Sequence, residues 1–320
     1  MPMFTRRAFG AGLLAAPAIT TLSAGATLAA AHATPKAAPA MFDAPLGAYR
    51  ITALFDGMAG LAKGFFSGPD QGEIDAALAA GGITGDALPA PVTAFLLQSD
   101  DRTILIDAGM GAVDILGPGF GRTFDALAAL GITTDDVDTI IVTHAHPDHI
   151  GGMIGGDGAI FANAEVIISE VEFGFWGDAG MMAQAPEEAQ GLFQIAQTMY
   201  ASYADRVRPV ADGTEVAPGI TMQLVPGHTP GHAALSIDGG DQQLMMIADT
   251  IHNSVLHLAL PDTRFGFDVD SAQAAASRRA LLDQISADKM LVAGSHLPFP
   301  GFGRVVTSGD AYAYVPASWM

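Results

Sequence analysis

The chain contains no cysteine. Disulfide frameworks, thiolate zinc sites and cysteine nucleophiles are thereby excluded together, and any strong metal ligand must be a histidine or a carboxylate. Basic residues are scarce: 14 Lys and Arg stand against 34 Asp and Glu in 320 residues, a formal charge of −20. Such a chain repels phosphate backbones and anionic lipid, so nucleic acid and membrane surfaces are poor partners. Charged residues of both signs together make up only 15%, while half the chain is hydrophobic. A sizeable core follows, and wholesale disorder is excluded. The length suits one large domain or two modest ones, and no internal repeat is visible.

The first 33 residues read as an export leader. Thr5-Arg6-Arg7-Ala8-Phe9 precedes an apolar Ala/Gly-rich stretch that ends at Ala31-His32-Ala33, small residues flanking a would-be cut. The Arg pair followed by Phe resembles a twin-arginine signal, which predicts a periplasmic or secreted protein. A membrane anchor is the competing reading, but the stretch is poor in Leu, Ile and Phe and is broken by Pro17. Losing Arg6 and Arg7, and no acid, leaves 12 basic residues against 34 acidic ones. A Pro/Ala linker is expected over 34–45 and a single folded domain over 46–320.

Within that domain short β-rich runs alternate with Ala-rich helical ones. The pattern predicts a hairpin of 92–98 with 103–107 and a helix over 122–130 stopped by Gly131. Strands are expected at 138–143, 165–169, 220–225, 233–237, 243–248 and 289–293, and helices at 187–204 and 270–285. Strands and helices mixed in both halves suggest two sheets covered by helices, an α/β layered domain.

The chemistry is concentrated where one of these strands ends. After "DTIIVT" the chain reads His144-Ala145-His146-Pro147-Asp148-His149-Ile150-Gly151-Gly152. In extended chain, residues two apart point the same way, so His144 and His146 can grip one cation from one side. Pro147 then bends the path and turns Asp148 and His149 toward a neighbouring position. Imidazole and carboxylate are the donors that zinc and other first-row divalent ions take. Three further donors, His228 in "PGHTPGH", Asp249 in "LMMIADT" and His296 in "AGSHLPFP", each stand where an expected strand runs into a loop.

This constellation resembles the metallo-β-lactamase superfamily of binuclear hydrolases, over nearly the whole chain from "ITALFDG" onward, with "LIDAGMG" in place of the usual Asp-Thr-Gly turn. "PGHTPGH", "HLPFPGFG" and "YAYVPASW" look most like the branch of methyl parathion hydrolase and its lactonase and esterase relatives. The resemblance implies a four-layer αββα sandwich of two mixed β-sheets flanked by helices. It implies two divalent metal ions per chain, with zinc expected: one held by His144, His146 and His228, the other by Asp148, His149 and His296, with Asp249 bridging. Two such ions about 3.5–4 Å apart acidify a shared water and clamp an attacked oxygen. Asp148 is then the catalytic carboxylate that takes the proton as the tetrahedral centre collapses. Asp107 and His232 are expected to orient ligands rather than bind metal. A homodimer is an expectation from the relatives alone.

Departures from relatives narrow the activity. Ala145 stands where the oxygen-reducing diiron members place Glu, and a bridging Asp disfavours β-lactam hydrolysis. The scarcity of basic residues disfavours an anionic thioester substrate, and the charge disfavours the nucleases. A neutral, fairly apolar small molecule remains. Leu116, Trp176 and Phe193 match pocket-mouth positions of methyl parathion hydrolase, although Trp and Phe are as readily core residues. His252 either reaches into the pocket or is an ordinary loop histidine, and His257 reads as structural. The leading expectation is a hydrolase of lactones or carboxylic and aryl esters with secondary phosphotriester activity. The alternatives are a phosphotriester hydrolase and a non-catalytic metal-binding member of the fold.

Overall fold

The short strand Thr103–Ile106 shows how the layers arise. Ile104 and Ile106 point into one apolar cluster and Leu105 into another, because successive side chains of a strand leave opposite faces. The same alternation divides Phe95 and Leu97 from Leu96, Ile141 from Ile140 and Val142, and Ile167 from Val166 and Ile168. In the second half of the chain it divides Leu244 and Met246 from Met245, and Ala293 from Val292. Strands that are apolar on both faces must be covered on both, and that requirement sets the architecture.

The computed structural model describes residues 38–156 and 158–318. A seven-stranded mixed sheet runs in the order Met41–Leu46, Tyr49–Ala62, Ala87–Gln98, Thr103–Ile106, Thr139–Ile141, Glu165–Ser169, Val207–Val210. A second seven-stranded mixed sheet runs Glu215–Ala217, Ile220–Leu224, Ala233–Asp238, Gln243–Met246, Leu291–Ala293, Phe302–Ser308, Ala311–Pro316. Their inner faces share one core, in which Phe95 meets Phe302 edge to face. The helices Thr123–Ala129 and Glu187–Tyr203 cover the outside of the first sheet, and Ser271–Ala287 covers the second. This is the expected αββα sandwich.

Two differences from expectation have clear causes. Residues 41–45, assigned to the linker, form with Leu46 an edge strand paired from Met41↔Leu54 to Leu46↔Tyr49, with Ala44 and Leu46 buried in the central core. The fold therefore begins earlier than residue 46, and the Pro/Ala stretch ends before it. The strand containing Gln98 begins at Ala87 rather than 92, despite Pro89 and Pro91. Its first half pairs only with Tyr49–Ala62, since Thr103–Ile106 reaches no further than Phe95. One edge is thus open there, and a missing N–H is tolerated. The proposed leader, residues 1–33, lies outside the described residues.

Candidate metal centre and active site

The loops that follow the strands of both sheets meet at one end of the sandwich. Thr139–Ile141 leads to His144 and His146, and Pro147 at the first position of the helix Pro147–Ile150 places Asp148 and His149 within one turn. Gly152 follows because a Cβ there would stand 2.1 Å from the Ala108 carbonyl oxygen. From the second sheet come His228, Asp249 and His296. All of these are buried except Asp148, whose side chain keeps 16% of its exposure.

The Asp249 carboxylate is the hub. Its Oδ2 lies 3.0 Å from His296 Nε2, 3.3 Å from His252 Nε2, 3.5 Å from His228 Nε2 and 3.6 Å from His144 Nε2. Its Oδ1 lies 3.1 Å from His149 Nε2. Donor atoms group in three ways that suit a cation: His144 with His146 and His228; Asp148 with His149, Asp249 and His296; and His228 with Asp249 and His252. The first two groups contain all seven residues expected to bind metal.

Outer contacts aim these donors. Asp107 Oδ2 accepts from His149 Nδ1 at 2.7 Å and from Thr143 Oγ1 at 2.8 Å, while Oδ1 accepts from Thr143 N–H at 2.9 Å. With Nδ1 donating, a neutral His149 ring turns its Nε2 lone pair toward Asp249. Asp268 does the same for His228, through Oδ1 at 3.0 Å from Nδ1. The open strand edge does it for His296, whose Nδ1 lies 2.7 Å from the Pro91 carbonyl oxygen. His232 has both nitrogens engaged, donating from Nδ1 to Val225 O at 2.9 Å and accepting the Asp249 backbone N–H at Nε2, 3.1 Å. It offers nothing to a cation and fixes the backbone of Asp249.

The donor set suits cations. Among the described residues, His149 Nε2, His228 Nε2, Asp249 Oδ1 and both ring nitrogens of His252 are buried without a hydrogen-bond partner. Buried lone pairs turned on one another are unfavourable unless something positive joins them. Burial, reinforced by neighbouring histidines, holds His144, His146 and His228 well below the usual imidazole range, so they present the neutral form a metal requires. Burial likewise lowers His149 and His296, but the surrounding carboxylates, Asp249 foremost, outweigh it and raise both. Burial would raise Asp249, yet its histidines, His149 first, carry it well below the carboxylate range.

Above Asp148 and Asp249 opens a cavity walled by Leu61, Ile115, Leu116, Leu192, Phe265 and Phe267. It adjoins a chamber of about 600 Å³ lined by Phe175, Trp176, Met181, Phe193 and Val269, the two sharing His146, Leu192 and Phe267. Leu116 and His252 thus stand at the first cavity and Trp176 and Phe193 at the second. Trp176 and Phe193 are also core residues, 2% and 3% exposed, with rings 4.6 Å apart. His252, itself buried, stacks on Phe265 at 4.0 Å, and His257 behind it is buried and takes the His252 N–H at Nδ1, 3.1 Å.

Three carboxylates of consequence escaped the sequence. Asp268 is one. Asp56, wholly buried, accepts Met110 N–H and Gly121 N–H at Oδ2 (2.9 and 3.1 Å) and Thr123 N–H and Oγ1 at Oδ1 (3.0 and 2.7 Å), so it closes the base of the loop bearing Ile115 and Leu116. The third, Glu172, is taken up below.

Comparison with known proteins agrees with this geometry. Residues 87–296 match the family model of the metallo-β-lactamase superfamily. An N-acyl homoserine lactonase of a Bacillus species is 29% identical over 171 residues, 48% of this chain and 61% of that one, so only about three-fifths of that relative is spanned. Among solved structures, a hydrolase of the β-lactamase superfamily, AbOPH, superposes with TM-score 0.84 at 27% identity, covering 89% of this chain and 100% of that one. AidC, a dizinc quorum-quenching lactonase solved with a product, superposes with TM-score 0.80 at 26% identity, covering 88% and 99%. By its matched residues, its two helix-covered mixed sheets and its His/Asp centre, the chain belongs to the metallo-β-lactamase superfamily.

Proposed function

We propose that the protein is a two-cation hydrolase of lactones and of carboxylic or aryl esters whose acyl part is neutral and apolar, with zinc as the metal. The observation that carries this reading is the apolar cavity standing directly on Asp148 and Asp249. No Lys or Arg lines it or the adjoining chamber among the described residues, so an anionic substrate would find no partner there. The likeness to AidC and to the Bacillus lactonase supports a lactone over a phosphotriester.

When bound, a cation pair supplies an acidified water and an electrophilic clamp for the substrate oxygen. His144, His146 and His228 would hold one cation, Asp148, His149 and His296 the other, and Asp249 would face both. Asp148 is the more exposed of the two carboxylates that line the cavity, and it is placed to take a proton and pass it to the leaving oxygen. His252, which lines the cavity and has no partner at Nδ1, is placed to donate a hydrogen bond to substrate. Apolar walls keep bulk water from the reacting centre, and the chamber beside His146 takes the acyl chain.

The test is a comparison of kcat/KM for N-acyl homoserine lactones, an aryl ester and a methyl phosphotriester on zinc-loaded protein. Lactone or ester should lead. A leading phosphotriester would make the protein a phosphotriester hydrolase, and no zinc uptake with no turnover would make it a non-catalytic member of the fold. Residues 1–33 we take as a twin-arginine leader to the periplasm. Replacing Arg6 and Arg7 by Lys should strand the protein in the cytoplasm, and undiminished export would refute that route.

A further inference from the structure

The helix Glu170–Gly177 sends Glu172 beneath the site without touching any proposed ligand. The side chain is 0% exposed, and each of its oxygens accepts two hydrogen bonds. Oε1 takes the backbone N–H of Ala145 at 2.9 Å and Trp176 Nε1 at 2.7 Å. Oε2 takes Thr229 Oγ1 at 2.7 Å and the backbone N–H of Gly231 at 2.9 Å. Ala145 lies between His144 and His146, and Thr229 immediately follows His228. One carboxylate therefore joins, from below, the two loops that supply the first ligand group, one loop from each sheet.

The loop of His228 is built to reach it. Gly231 is held at both polar groups, since its carbonyl accepts from Ser169 Oγ at 2.8 Å while its N–H donates to Glu172. Ser169 also caps the helix by accepting Glu172 N–H at 3.1 Å. A Cβ on Gly231 would stand 2.2 Å from Glu172 N and 2.5 Å from Ser169 Oγ, so the approach is open only to glycine. No comparable contact runs from Glu172 to Asp148, His149, Asp249 or His296. His149, Asp249 and His296 are fixed instead by Asp107, His232 and Pro91 respectively.

We infer that Glu172 is a positioning residue that sets the distance between the His144–His146 pair and His228, and so governs the affinity of one of the two cations and not the other. Three of its four donors are N–H groups, which cannot turn round to accept. The position thus calls for an acceptor on both oxygens, and an amide of equal size sets its NH2 against at least one of them. The inference rests on the two-cation reading above.

The experiment is zinc competition against a chromophoric chelator, with thermal unfolding of the metal-free proteins alongside. Glu172→Gln should loosen one zinc by roughly ten- to hundredfold and leave the other at wild-type affinity, the size usual for losing a group that holds a ligand in place. Thr229→Val, a milder change that removes one of the four donors, should loosen the same zinc by less. It decides the matter should Glu172→Gln fail to fold. Two zinc ions bound as in wild type, or two loosened equally, would overturn the inference. Wild-type protein taking up fewer than two zinc ions would overturn the two-cation reading itself.

Discussion

Asp107→Asn isolates the support given to one ligand. Asp107 sits at φ 56°, in the left-handed region that Asn enters as readily as Asp, so the backbone should be undisturbed. The carboxylate accepts three hydrogen bonds, two from Thr143 and one from His149 Nδ1. An amide can keep either the Thr143 N–H or the His149 Nδ1–H, because whichever oxygen becomes NH2 then faces a donor. The Thr143 hydroxyl can rotate to accept, but His149 can respond only by moving its proton to Nε2, the atom that faces Asp249. Losing one hydrogen bond to a charged group costs about 1.5–3 kcal/mol, which corresponds to roughly a ten- to hundredfold weaker hold on the cation at His149. Chelator competition should show one zinc loosened to that extent. The companion Asp268→Asn should loosen the other, through His228, and the double variant both. Wild-type zinc affinity in a folded Asp107→Asn protein would refute the claim that Asp107 acts through His149.

Three more outcomes follow from the geometry. Asp249→Asn nearly preserves volume but removes the charge that five histidines surround, so both cations and turnover should be lost; two zinc ions per chain with near-normal turnover would refute the hub role. In metal-free protein six buried histidines are held below their ordinary range (His144, His146, His228, His232, His252, His257) and two, His149 and His296, above it. The unfolded chain thus binds more protons than the fold as pH falls through about 6.5, and unfolding midpoints should drop from pH 7 to pH 5, whereas a rise would show the raised pair dominating. Leu192→Trp should close the passage between cavity and chamber; at about 0.8 kcal/mol per methylene, three methylenes shut out would lower kcat/KM for a long-chain lactone roughly fiftyfold against a short-chain one, and equal loss for both would place the chain elsewhere.

What the sequence disclosed and what it hid differ in range. His144 to His149 is a local pattern whose spacing already says how the side chains point, and the strands ending at Ser169, Leu224 and Met246 announce themselves by apolar runs bounded by turns. Asp56, Glu172 and Asp268 reach the loops they hold across 27 to 67 residues of chain, each a carboxylate with little to distinguish it from the other acids. Glu172 had the one faint sign, a charge four residues before a Trp in a short helix whose only other charge is Glu170 at its first position. The first strand was hidden because a Pro/Ala-rich run leads into it without a change of composition, and only pairing with Tyr49–Ala62 shows that it belongs to the sheet.

The clamp at Asp56 separates two jobs that a binding loop usually performs together. With Met110, Gly121 and Thr123 pinned to one buried carboxylate, and with Gly111, Val113 and Phe120 packed on the body of the fold, the exposed residues at the tip of the loop contribute little to holding the sandwich closed. Loop-closure cost grows only with the logarithm of length. The segment from Asp114 to Gly119 is therefore an interchangeable cassette, in which residues can be inserted, deleted or exchanged to suit a different guest while the hinge points stay where Asp56 keeps them.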